Sequence, residues 1–291
     1  MGAFLGRMAL AMLAAVGVWI CGPSRAQGIE RPPDDPAVIR WDPAIRHGAL
    51  ANGLRYAVMR NATPNGGVFI RLGIGVGSLD DPDDALGAAH FLEHMAFGGS
   101  HAQLQADVEK VFAAAGVAFG RDRNAHTELL STTYEIDLPH GDPQALDLGF
   151  RWLRQVADGA QLTAETVERE RGIILAERET RLSDITQAGE ASVAFEAPGS
   201  RLARGSAVGS RESISGMSAP TLQALYDAWY RPENAVVVVV GDQPLDVLEA
   251  RVRDSFATWR GRGAAGERPA PAAIDDRRGL DALALSEPNL P

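Results

Sequence analysis

The chain has 291 residues, 45% of them hydrophobic and 23% charged, which supplies enough apolar material for one or two domains with a sizeable core. Its formal net charge is −10 and no run of Lys or Arg interrupts it, so the electrostatic footprint of a nucleic-acid partner is missing. One cysteine, Cys21, excludes an internal disulfide.

Taken in chain order, Arg7 gives a positive start, residues 8–21 form an apolar run, and Ser24-Arg25-Ala26 offers a small-x-small cleavage site. Residues 1–26 therefore read as an export signal, with a periplasmic or secreted protein as the consequence. Cys21 lies inside that signal, so the mature chain has no thiol for a metal site or a nucleophile. The run is too short to span a bilayer comfortably, and no later segment approaches the roughly 20 apolar residues a membrane helix needs. No stable membrane span is expected in the mature chain.

Residues 27–43 carry Arg31-Pro32-Pro33-Asp34-Asp35-Pro36 and read as an exposed lead-in. Residues 54–59 and 67–72 read as strands, separated by the turn-forming Thr63-Pro64-Asn65-Gly66, and suggest an antiparallel pair. The Gly- and Asp-rich stretch 73–84 reads as a loop that leads into a helix over 85–97, ended by Gly98-Gly99. Further helices are expected over 104–115, 143–157, 163–181, 222–229 and 245–259, with strands over 132–138 and 235–240. Thr163 is the expected N-cap of its helix. Residues 261–291 shift to Gly, Ala, Pro and Arg and read as a linker-like tail, which leaves 44–260 as the folded domain. Strands and helices come in blocks rather than strict alternation, so the expected fold class is α+β, a mostly antiparallel sheet flanked by helices.

The chemistry concentrates in His90-Phe91-Leu92-Glu93-His94. Residues four apart on a helix lie one turn above each other, so His90 and His94 can grip one metal ion while Glu93 reaches a water bound to it. Zinc commonly takes three protein ligands and a water in a catalytic site, and it brings that water to a pKa of roughly 7. A third ligand is needed. The helix over 163–181 offers Glu170 and Glu177, which are seven residues apart and share a face. From spacing alone either could bind the metal while the other supports it, and a charged solvent face is an equal alternative, since Glu165, Glu168, Arg169 and Arg171 surround them. Ile173 and Ile174 could pack this helix on the core. His47, His101, His126 and His140 fall in loop-like segments and read as surface residues.

Residues 90–99 (His90-Phe91-Leu92-Glu93-His94-Met95-Ala96-Phe97-Gly98-Gly99), then Asn124-Ala125-His126-Thr127, Thr133-Tyr134 and the run from Glu168 to Glu177, resemble the insulinase/pitrilysin family of zinc peptidases, whose motif is inverted, H-x-x-E-H. Tyr230-Arg231-Pro232-Glu233-Asn234 and residues 236–242 are similar to the later part of that family's metal-binding half. The resemblance implies the metal-binding half of a mitochondrial-processing-peptidase-like enzyme. It implies Zn2+ held by His90, His94 and Glu177, with Glu93 as the base and Glu170 as a partner that orients the ligands. It also implies a peptide substrate bound as an added strand near Asn124 and Ala125. By itself the polar run Arg121-Asp122-Arg123-Asn124 is equally compatible with a turn.

Family members enclose substrate between two homologous halves, and this chain has room for only the first. Two readings follow. One is a zinc endopeptidase that cuts peptides or small proteins once paired with a second half. The other is a non-catalytic binding or scaffold subunit, for which there is no need to keep His90, Glu93, His94 and Glu177 together.

Overall fold

The structure, a computed structural model, describes residues 42–100, 103–268 and 282–284. The expected export signal at 1–26 with its Cys21, the lead-in up to residue 41, and His101 lie outside the described residues.

Strands β1 (Ile45–Ala49), β2 (Arg55–Arg60) and β3 (Val68–Ile74) lead to helix α1 (Ala88–Met95). A two-residue hairpin, β4 (Gly99–Ser100) and β5 (Gln103–Leu104), precedes α2 (Gln105–Ala114). Strands β6 (Arg123–Thr127) and β7 (Thr132–Leu138) follow, then α3 (Pro143–Asp158), α4 (Ala164–Arg181), α5 (Asp184–Glu196), α6 (Arg211–Gly216) and α7 (Ala219–Trp229). Strand β8 (Ala235–Gly241) and helix α8 (Leu245–Phe256) complete the set. The α+β class holds. Six strands form one sheet in the order β1-β2-β8-β3-β7-β6, and every neighbouring pair except β2 with β8 is antiparallel.

The expected pairing of the second and third strands does not form. Strand β8 lies between them, parallel to β2 with Val58 opposite Val239, and antiparallel to β3 with Ile70 opposite Val239. The valine run of β8 explains the insertion, because a strand with neighbours on both sides suits β-branched residues at every position. The linker 61–67 easily spans the roughly 10 Å that this one-strand gap requires. Alternation decides the burial: Ala235, Val237 and Val239 are buried, whereas Val236, Val238 and Val240 are half-buried on the opposite face.

The buried face of the sheet carries Val68, Ile70, Leu72 and Ile74 from β3, with Tyr134, Ile136 and Leu138 from β7. Helix α3 lies against it, so close that a Cβ at Gly149 would sit 3.2–3.6 Å from Leu138, Ile70 and Ile136. Arg71, Glu135 and Asp137 occupy the opposite face and form ion pairs there. Strands β1 and β6 are the two edges.

Two strands of the six-stranded sheet were illegible as strands. β1 and β6 are short, and β6 begins in the polar run that suggested a turn; each forms because a longer neighbour supplies its ladder bonds. His47 and His126 are therefore strand residues, and both are exposed, as is His140. Residues 261–268, placed in the tail by composition, are held on the fold. Gly266 N donates to Ala228 O, and Arg268 forms a two-pronged ion pair with the buried Asp80 at 2.8 and 3.1 Å.

The start of α1 depends on a close backbone approach. Gly87 has φ +89°, and a Cβ there would lie 2.3 Å from Val208 O. Gly87→Ala would meet both the cost of left-handed backbone, about 1–2 kcal/mol, and that clash. It is expected to lower Tm by at least about 2–4 °C, read by thermal unfolding; an unchanged Tm would contradict this packing.

Candidate metal and peptide site

Helix α1 is short but firmly placed. Asp81 accepts hydrogen bonds from Gly87 N at 2.7 Å and Ala89 N at 2.8 Å, so a buried carboxylate supplies partners that the helix start otherwise lacks. Burial pushes the Asp81 carboxyl up to about 7, opposed by those two N–H donors. Every residue of α1 except His94 is buried, and His94 is half-buried at the cavity.

Helix α4 is capped as expected: Thr163 accepts from Thr166 N at 3.2 Å. Val167, Glu170, Ile174 and Glu177 recur at spacings of three and four, which makes one stripe along the helix. Val167 and Ile174 are buried and seat α4 beside α1, so both glutamates are carried to the same side. Ile173 departs from the expectation: it is 50% exposed and lines the cavity instead of the core. Arg171 holds α4 to the C-terminal end of α6, donating to Ser215 O and Met217 O at 2.8 Å each.

His90, His94 and Glu177 come together. Their candidate ligand atoms lie within 4.8 Å of one another, with His94 Nε2 2.9 Å and His90 Nε2 3.7 Å from the two Glu177 oxygens. Ligands on a tetrahedral zinc with bonds of 2.0–2.1 Å sit roughly 3.4 Å apart, a separation those two distances bracket. Two imidazoles and a carboxylate facing a cavity form a donor set suited to catalytic zinc, so these residues fit the ion. The His90 and His94 imidazoles hold the Glu177 carboxyl well below the usual carboxylate range. His90 Nδ1 is buried with no hydrogen-bond partner among the described residues.

Glu170 is 4% exposed and stands apart from this trio; Arg169 Nε donates to its Oε1 at 3.3 Å. Glu93 is also buried, and its Oε2 accepts from Thr127 Oγ1 at 2.7 Å. Asn124 and Ala125 lie on the edge strand β6, beside the same cavity of about 670 Å³ that Glu93, His94, Glu170 and Glu177 line. Phe97 and Phe119 give it an apolar wall, with their rings 5.0 Å apart.

Three residues went unnoticed in the sequence. Arg181 reaches Glu177 Oε1 at 2.5 Å from the next turn of α4, a spacing of four that was available to read. Asp81 is separated from the helix it caps by a loop, so no fixed spacing announces it. Arg123 is fully buried under Phe112, 4.2 Å from the ring centre, and pairs with Glu109. Its place in a polar run concealed that burial.

The profile of the insulinase peptidases (family M16) matches residues 56–192, and that of the M16 inactive domain matches residues 216–283. The chain belongs to the insulinase peptidase family. It is 36% identical over 216 residues to the probable zinc protease PqqL of Haemophilus influenzae, covering 74% of this chain and 23% of that protein. The crystal structure of the periplasmic protease PqqL from Escherichia coli superposes with a TM-score of 0.75 at 30% identity, over 79% of this chain and 26% of that one. The first half of the same protease gives 0.74, over 79% of this chain and 49% of that one. This chain spans about a quarter of the length of the curated relatives it matches.

The geometry separates the two α4 glutamates. Glu177→Ala is expected to weaken zinc binding by more than about 100-fold and Glu170→Ala by about 10–100-fold, measured by competition with a chromophoric chelator. The reverse order would contradict the arrangement.

Proposed function

We propose that this chain is the metal-binding part of a zinc-dependent endopeptidase acting on peptides or small proteins. The observation that carries the proposal is the convergence of His90, His94 and Glu177 beside a cavity into which Glu93 also faces. His90, His94 and Glu177 would hold Zn2+, with Glu170 and its Arg169 partner steadying the ligand helix. The ion supplies a polarised, acidic water and a Lewis acid for the substrate carbonyl.

Glu93 takes the proton of the attacking water and returns it to the departing amine, as general acid–base catalysis requires of a group within reach of both. The peptide is held as an added strand on β6. Its backbone pairs with the edge near Asn124 and Ala125, so binding depends mainly on an extended chain and only weakly on sequence. Phe97 and Phe119 offer apolar contact to one side chain beside the scissile bond.

A second homologous half, in the same polypeptide or as a partner subunit, completes the chamber and holds the substrate carbonyl. Supporting this are the relatives' fourfold greater length and the match to about half of the first half of PqqL. Export to the periplasm, or secretion, is the proposed location, supported by the signal-like residues 1–26 and by the periplasmic description of the Escherichia coli relative. No helix among the described residues is long and apolar enough to cross a membrane.

The test is Glu93→Gln in the chain assayed together with its second half on an internally quenched peptide. Zinc content should stay near one ion per chain. The value of kcat should fall by about 10²–10⁴-fold. Full activity in that variant would overturn the mechanism, and undiminished activity of the wild-type chain alone would overturn the need for a second half.

A further inference from the structure

Thr127 is the last residue of β6, and its hydroxyl Oγ1 donates to Glu93 Oε2 at 2.7 Å. Across the ladder it pairs with Thr132 of β7, whose Oγ1 lies 3.3 Å from its own and donates to Val76 O at 2.9 Å. A carboxylate and a carbonyl oxygen can only accept, so acceptors terminate this hydroxyl pair at both ends. The Thr132 proton goes to Val76, and the Thr127 proton goes to Glu93.

Alternation along β6 gives the contact its meaning. Arg123, Ala125 and Thr127 point to the helix-covered face, Arg123 toward α2 and Thr127 toward Glu93 of α1, while Asn124 and His126 are exposed on the other. The strand proposed to pair with the peptide backbone is thus the strand that grips the base from beneath. Thr132 is fully buried and is the ladder partner of Thr127, so the backbone that carries Thr127 is fixed by the strand pairing rather than by a bond between the two hydroxyls. A carboxylate held at Oε2 loses its freedom to turn about its last torsion, which is otherwise broad. That leaves Oε1 as the oxygen to take a proton from water.

We infer that Thr127 is the positioning residue for Glu93, and that through it the seating of a peptide on β6 is coupled to the aim of the base. The inference rests on the assignment of Glu93 as base. Thr127 touches neither the candidate ligands nor, through its inward side chain, the peptide edge.

The experiment is a set of substitutions in the protein assayed with its second half. Thr127→Val, which keeps the shape and removes the donor, is expected to lower kcat by about 10-fold, with KM and zinc content unchanged. Thr127→Ser and Thr127→Ala both lose the methyl group, so Ser should keep most of kcat and Ala should not; this pair isolates the hydroxyl even if the Val variant does not fold. On a Glu93→Gln background, Thr127→Val should produce no further loss, because residues that act as one unit are not additive. Wild-type kcat in Thr127→Val, equal losses in Ser and Ala, or an additive loss on the Glu93→Gln background would each overturn the inference. Full activity of Glu93→Gln alone would instead remove the base assignment, so the two failures are distinguishable.

Discussion

The packing of α4 on α1 is the constraint on which the rest of the molecule depends. His90 and His94 are fixed relative to each other by one helical turn, but their third partner must arrive from a helix more than eighty positions later. Each residue turns a helix by about 100°, so a slip of one position in α4 would carry Glu177 off the shared face. Burial of Val167 and Ile174 opposes the slip, and the three carbonyls that Arg171 engages lock the helix against the C-terminal end of α6. At the other end, Asp81 and the Gly87 close approach fix where α1 begins.

Charge explains why this packing suits a cation. Glu93, Glu170 and Glu177 line one cavity, two of them almost fully buried, and desolvated carboxylates are costly unless they are paired. Arg169 serves Glu170, a threonine hydroxyl serves Glu93, and Glu177 lies between the imidazoles and Arg181. A divalent ion held by the two imidazoles and Glu177 would neutralise the carboxylate whose oxygens face the imidazole nitrogens. The sheet supplies the remaining element: its edge strand β6 runs past this cluster, so the edge proposed for the peptide and the threonine that contacts Glu93 belong to one piece of backbone.

What could be read in advance follows from how local each signal is. His90, Glu93 and His94 were legible because helical period alone brings them together. The boundaries of α4 and its Thr163 cap were equally local. The choice of Glu177 over Glu170 was not, since both lie on one stripe; it came from resemblance to the family, and the fold places the Glu177 oxygens 2.9 and 3.7 Å from the two histidines. The insertion of β8 between β2 and β3 joins segments about 170 residues apart, which periodicity cannot encode. β6 was obscured because its polar residues face outward, and its hidden face holds an arginine where an apolar residue is the usual sign of a strand. Asp81 and Thr127 act across loops and across a ladder, so only the folded chain shows what they touch.

Zinc K-edge X-ray absorption on the metal-loaded chain tests the central claim most directly, since it reads the ligands without requiring turnover. The account predicts two imidazole scatterers with one or two oxygens at about 2.0–2.2 Å. A spectrum without imidazole multiple scattering, or one left unchanged by Glu177→Ala, would contradict it.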